Sequence, residues 1–284
     1  MGITKKDLEL IIILKTEFNI DFTSIVTIGR QKIGFSYKEV EKIFSKYNLT
    51  TDNNELKKEL ENNNFFCEPI FKKLGALHIH SIDIDNYEST TFRHDLNKPI
   101  TKKLEENYSL VMDFGSSEHI FDVKSCQKNI LSLVKKGGHL IQILPTNNES
   151  GHGFYQFSAS FFTELLSSDN GYELLRLFSY RTNSKKIYEV LLDRLKNKRV
   201  RLVNNHPTYL FALSKRNEVK EIFKSTPQQS DYQSLRWKEK THKTYIDILY
   251  EKFPFPQLAK YINNPFKSFF FGHLNKENYK RYKI

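Results

Sequence analysis

Apolar residues in this chain recur with two different periods, and the alternation between them predicts the fold. Thr4 to Phe18 sets Leu8, Ile11, Ile12, Leu14 and Phe18 at helical spacing, with Thr4 as the N-cap. SIVTIG (24–29) reads as a short strand running into a glycine. Tyr37 to Tyr47 is an amphipathic helix. Asn54 to Leu74 is further helix, interrupted by Asn62-Asn63-Asn64. Four strands follow: LHIHSIDID from Leu77, TTFRHDLN from Thr90, YSLVMDFGSSEH from Tyr108 and SLVKKGGHLIQILP from Ser132. Helical patterns at Lys102–Glu106 and Val123–Val134 lie between them. Each strand is short and apolar and meets a charged, amide or glycine residue, as in a parallel sheet whose carboxyl-end edge holds a ligand. Strand and helix alternate, so the class predicted is α/β with a doubly wound, mainly parallel sheet.

After Pro145 the texture changes. NNESGHG is a polar loop, and SASFFTELL is a helix with a serine cap. GYELLRLFSYR and PTYLFALSKR read as two strands flanking a helix from Lys185 to Lys196. From Glu218 onward no strand is evident. Two or three basic helices are expected there, anchored by Trp237, Tyr245, Tyr250, Phe253, Phe255 and Phe269 to Phe271, and broken at Pro254, Pro256 and Pro265. The expected division is a sheet domain over 1–217 and a basic, aromatic, helical extension over 218–284.

The chain has 284 residues, 39% hydrophobic and 14% aromatic, enough for one large core. Its net charge of +11 is uneven: residues 181–284 carry 23 Lys+Arg against 9 Asp+Glu, leaving 21 against 24 in the first 180. A basic C-terminal third suggests an anionic partner: a nucleotide-linked substrate, phosphate, nucleic acid or a membrane surface. Solubility alone is the plainer explanation. Cys67 and Cys126 lie far apart and form no metal or redox motif, which points to a reduced, cytosolic setting. No secretory signal is read at the start, and the run Leu10 to Leu14 is too short to span a bilayer.

The strand ends come in a telling order: an acid, then Asp95-Leu96-Asn97, then Gly115 with Glu118-His119, and Lys-Lys-Gly-Gly opening the last strand. This order resembles class I S-adenosylmethionine (SAM)-dependent methyltransferases, from Ile25 to about Arg216. The resemblance implies a seven-stranded Rossmann-like sheet with its last strand inserted antiparallel. It places Gly29 and Arg30 of the first turn at the cofactor; here Gln31 replaces the family's second glycine. Asp83, with Asp85 as fallback, would take the ribose hydroxyls. Asp95 and the Leu96 backbone would take the adenine, and Phe114 and Gly115 would pass beside the cofactor. Glu118 and His119 would sit above the methyl group. The plainer alternatives are a simple turn at Gly29, a cap at Asp83 and an Asx-turn at Asp95.

The loop after the fifth strand holds Asn147, Asn148, Glu149, His152, Tyr155 and Gln156, with glycines at 151 and 153 that allow close approach. Asn147, Tyr155 and Gln156 are the candidate substrate contacts. His152 competes with His119 as general base, Glu118 being the third candidate. No metal is expected. The stretch GHGFYQ is similar to one in methyltransferase-like proteins of bacterial surface-polysaccharide clusters. The expected activity is O-methylation of a small polar, anionic acceptor such as a sugar, nucleotide-sugar or phosphorylated precursor. Two alternatives remain. One is an RNA methyltransferase using the basic third as an arm, although GSSEH stands where an Asn-Pro-Pro-Tyr-like motif would be. The other is a catalytically silent binding protein, favoured by Gln31.

Overall fold

The computed structural model describes residues 2–49, 53–192, 202, 204–228 and 279–283. One nine-stranded sheet organises them. In chain order its strands are β1 (Ser24–Ile28), β2 (His78–Asp83), β3 (Phe92–Arg93), β4 (Tyr108–Phe114), β5 (Val134–Asn147), β6 (Tyr172–Arg181), β7 (Ile187–Val190), β8 (Thr208–Arg216) and β9 (Tyr279–Tyr282). The spatial order is β3-β2-β1-β4-β5-β8-β6-β7-β9. The first five strands run parallel, β8 inserts antiparallel between β5 and β6, and β7 and β9 continue antiparallel beyond.

Among the described residues, six α-helices cover the two faces: α1 (Lys5–Glu17), α2 (Tyr37–Lys46), α3 (Asn53–Asn62), α4 (Glu68–Lys73), α5 (Val123–Leu133) and α6 (Ala159–Leu165). Their starts follow from local chemistry. Thr4 and Asp7 form a capping box on α1, Ser36 and Glu39 another on α2, and Asp122 and Ser158 cap α5 and α6 through Ser125 N and Phe161 N. Pleating sends alternate strand residues to opposite faces. Ile25, Leu110, Met112, Phe114, Ile141 and Ile143 pack with α1 to α4, whereas Val26, Ile28, Val111, Leu140 and Leu144 pack with α5 and α6. All of β4 is buried, with Ser109 and Asp113 enclosed among its apolar residues, so it does not alternate between a buried and an exposed face.

Four expectations change. The sheet has nine strands, not seven. The stretch read as a helix from Lys185 contains β7 instead, since Ile187 to Val190 pair with Phe178 to Tyr180 of β6; its remainder lies outside the described residues. Lys102–Leu104 is a single 3-10 turn. The basic C-terminal third contains a strand, for Tyr279–Tyr282 pairs along β7. Its sequence, YKRY, is too polar to register as apolar alternation, and the register supplies the reason it pairs. Lys280 stands opposite Glu189, Tyr279 buries on one face of the sheet, and the Tyr282 ring lies 4.9 Å from that of Phe178 on the other. The aromatic anchors from Trp237 to Phe271 lie outside the described residues.

Candidate functional site

The strand order reverses at β1, which lies between β2 and β4. Chains leaving a parallel sheet on either side of such a point diverge and leave a crevice at the carboxyl ends. A cleft of about 600 Å³ opens there, within the size range of small-molecule sites. Gly29, Arg30, Gln31, Asp83, Asp95, Leu96, Gly115 and His119 all line it.

Gly29 turns the chain out of β1 at φ +68°, in the left-handed region, while its N–H donates to Ile82 O at 2.8 Å. A Cβ there would lie 3.1 Å from Ser116 Oγ, 3.3 Å from Gln31 Nε2 and 3.7 Å from Asp83 Oδ2. The turn is therefore wedged between the ends of β2 and β4. Ser116 Oγ donates to Ile28 O at 2.8 Å and fixes that wedge. The sequence alone does not single out this serine. Gln31 is buried and folds back on the turn, donating from Nε2 to Ile28 O at 2.9 Å. It binds the loop from within, where a glycine would leave space. Arg30 lines the cleft, but its guanidinium is held by Glu68 Oε1 (2.6 Å), Asn63 Oδ1 (2.9 Å) and Glu88 O (2.9 Å) and lies over the Phe66 ring. Its donors thus tie the first turn to α4 and the loop after β2.

Asp83 stands at the end of β2 with Oδ1 accepting from Ile84 N at 2.7 Å; Oδ2 is the oxygen beside Gly29. Asp95 adopts the Asx-turn, accepting from Asn97 N at 3.0 Å and Asn97 Nδ2 at 2.8 Å. These bonds hold its carboxyl below the usual range. Leu96 is buried, and its carbonyl accepts from Asn129 Nδ2 at 3.0 Å. Phe114 departs from expectation. Pleating sends it to the opposite face, where it lines a second cleft of about 620 Å³ with Asp7, Ile143, Tyr180 and Tyr209. The two clefts share Gly2.

Beside the first cleft, Glu118, His119 and His152 converge. Glu118 and His119 belong to a 3-10 turn after β4, and His152 to the loop after β5. Neighbouring parallel strands bring these two loops together, although 34 residues separate Glu118 from His152. Phe154 N donates to Glu118 O at 2.7 Å and pins one loop to the other. Gly153, at φ +81°, makes this approach possible: a Cβ there would stand 2.7 Å from Glu118 O. Glu118 is fully buried, and neither carboxylate oxygen has a hydrogen-bond partner. Its Oε1 lies 3.5 Å from His152 Nε2 and 3.9 Å from His119 Nε2, and the imidazole centroids are 4.9 Å apart. Burial, and then the neighbouring Asp113 carboxylate, push the Glu118 carboxyl up to about 8. Burial and His152 lower His119.

Asp113 is itself buried, accepting from Ser116 N at 3.0 Å, from Ser117 Oγ, and from Gln142 Nε2 at 3.4 Å. Asp113 lies inside the strand rather than among the residues after its end, and its burial and its nearness to Glu118 appear only in the fold. The three candidate substrate contacts serve the loop. Tyr155 Oη donates to Phe121 O at 2.6 Å, Gln156 Oε1 accepts from Glu149 N at 3.0 Å, and Asn147 Nδ2 donates to Asn204 Oδ1 at 3.3 Å.

The order β3-β2-β1-β4-β5-β8-β6 with β8 antiparallel is the Rossmann-like arrangement of class I methyltransferases. No protein-family model matches the chain, and no curated protein matches its sequence. Among solved structures it is similar to the Burkholderia thailandensis 1,6-didemethyltoxoflavin-N1-methyltransferase with bound S-adenosylhomocysteine, at 10% identity and TM-score 0.37 over 75% of this chain and 78% of that one. It is similar to the YcgJ protein of Bacillus subtilis at 10% identity and TM-score 0.36, over 74% and 99%. The DszA carbon methyltransferase gives 10% identity and TM-score 0.39, over 76% and 54%. The fold is defined by strand order and register. Among the described residues no helix is long and apolar enough to cross a membrane.

Proposed function

We propose that this protein is a SAM-dependent methyltransferase acting on the hydroxyl of a small polar acceptor. The observation that carries the reading is the pairing of Asp83 with the Gly29 turn at the strand-order reversal, with Asp95 and Leu96 on the same cleft wall. A carboxylate at the end of β2 accepts well from two ribose hydroxyls. A left-handed glycine lets the backbone approach the rest of the cofactor. SAM bound there would supply an electrophilic methyl carbon. The chain's own part is to orient the acceptor, exclude water and take up the hydroxyl proton. His119 lines the cleft, with Glu118 and His152 directly behind it, and these side chains have the polarity for that last task; His152, held by the pinned loop, is the leading base.

The second cleft, which shares Gly2 with the first, suits the acceptor. Lys5, Lys6 and Lys185 line it together with Asp7 and Glu9; Lys5 is paired with Glu39 and Lys6 donates to the carbonyls of Arg181, Thr182 and Ser184, so the preference for a phosphorylated or nucleotide-linked sugar rests on Lys185 and on the basic C-terminal third. A surface-glycan setting rests on the sequence resemblance alone.

One observation favours a different reading. Gln31 fills the turn where the family keeps a glycine, as it could in a protein that retained the fold and lost the cofactor. Calorimetric titration with SAM separates the two. Catalytic use predicts saturable one-to-one binding that weakens in Asp83→Ala by about 1.5–3 kcal/mol for each lost charge-assisted bond. No binding by the unaltered protein would favour the silent reading, and unchanged affinity in the variant would remove Asp83 from the site.

A further inference from the structure

We infer that Glu118, His119 and His152 form a binding site for a divalent transition-metal ion at the edge of the cleft. One ligand atom from each residue lies within 4.8 Å of the other two. A cation with bonds of roughly 2.0–2.2 Å to imidazole nitrogen and carboxylate oxygen sets its ligands about 3.0–3.5 Å apart. Glu118 Oε1 and His152 Nε2 already stand at 3.5 Å, and His119 Nε2 is at 3.9 Å from the same oxygen. Rotation of the half-exposed His119 side chain closes the remaining gap.

A fully buried carboxylate with both oxygens unpartnered is unfavourable in an apolar interior, and His152 Nε2 beside it is buried without a hydrogen bond as well. Asp113, also buried, adds a like charge nearby. No lysine or arginine pairs with either carboxylate among the described residues. A cation between the three side chains would supply the missing charge and the missing partners together. Backbone geometry holds the ligands in place before any ion arrives. The 3-10 turn fixes Glu118 and His119, and the Phe154–Glu118 bond over Gly153 fixes His152.

Two imidazoles and one carboxylate suit zinc, manganese, cobalt or ferrous iron better than magnesium or calcium, which prefer oxygen alone. Three protein ligands leave coordination positions for solvent or an acceptor oxygen. The site stands whether or not the cleft binds SAM. If it does, the ion would hold the acceptor hydroxyl. The hydroxyl proton would pass to solvent, the oxygen pair would form the bond to the methyl carbon, and the carbon–sulfur pair would return to sulfur. The histidines would then be ligands rather than bases.

The test is metal binding by the chelator-stripped full chain, without SAM, followed by equilibrium dialysis against Zn(II) and by the visible spectrum with Co(II). One high-affinity ion per chain is expected. Glu118→Gln and His152→Ala should each weaken binding at least 10-fold. Glu118→Gln exchanges a buried carboxyl whose oxygens have no partners for an uncharged side chain of the same shape, and should hold the metal-free melting temperature of the parent while losing the rise that Zn(II) gives the parent. His80→Ala, a histidine bonded to Tyr108 on β2, should bind as the parent does. Absence of a high-affinity ion, or an affinity in Glu118→Gln and His152→Ala unchanged from the parent, would overturn the site. SAM binding with no metal binding would overturn the site and leave the methyltransferase reading standing.

Discussion

Replacing Gly29 by alanine tests the turn that shapes the cleft. At φ +68° a side chain is disfavoured by about 1–2 kcal/mol. The new methyl would meet Ser116 Oγ at 3.1 Å, and that hydroxyl can retreat only by giving up its 2.8 Å bond to Ile28 O. Losing the bond costs about 1 kcal/mol more. Stiffening of the unfolded chain returns about 0.4–1 kcal/mol. The net is a destabilisation of about 2 kcal/mol, which in a protein of this size lowers the melting temperature by roughly 4–8 °C. The same methyl lies 3.7 Å from Asp83 Oδ2, within the cleft, so affinity for S-adenosylhomocysteine should fall by more than ~10-fold. Differential scanning calorimetry gives the first quantity and isothermal titration the second. A variant that melts within a degree of the parent and binds the ligand equally well would refute the argument. The turn would then be neither strained nor part of the site.

Three further outcomes follow from the geometry. Gly153→Ala should displace the loop over Glu118, because its Cβ would stand 2.7 Å from Glu118 O at a φ of +81°; metal binding by the chelator-stripped variant should fall at least ~10-fold. Tyr279→Ala, removing a buried ring where β9 meets the core, should cost about 2–4 kcal/mol by chemical denaturation, and a change under 0.5 would show that β9 adds nothing to the sheet. Burial, with Lys215 nearby, lowers His139 from its ordinary value to about 4. The unfolded chain therefore takes up that proton first, and stability should fall as pH drops from about 6.5 to 4, by at most about 3 kcal/mol. His139→Gln should flatten that part of the pH–stability curve, and an unaltered slope would contradict the assignment.

The parallel strands β1, β4 and β5 were legible as buried, largely apolar stretches that end in polar turns, and β2 and β3 from the acids at their ends. The outer strands were not. Ile187–Val190 and Tyr279–Tyr282 owe their conformation to edge pairing and to a Glu189–Lys280 match, which no local window contains. The cleft was legible residue by residue at Gly29, Asp83, Asp95 and Leu96, since ligand edges follow from strand ends. Phe114 lines the second cleft and not the first, which one step of the pleat decides and a strand-end reading does not resolve. Arg30, Asn147, Tyr155 and Gln156 look like ligand contacts in sequence because their side chains are polar. In the fold their hydrogen bonds go to neighbouring loops. Both Glu118 and His152 were recognised as chemical residues. That they meet is a fact of β4 lying beside β5, and that Glu118 lacks a hydrogen-bond partner is a fact of packing.

The central claim is that the cleft at the ends of β1, β2 and β4 holds SAM. A crystal structure with S-adenosylhomocysteine tests it most directly. The ribose hydroxyls are expected on Asp83, the adenine between Asp95 and Leu96, and the sulfur on the side of Glu118 and His119. Ligand bound elsewhere, or a cleft left empty at saturating ligand with Gln31 still folded into the turn, would contradict it.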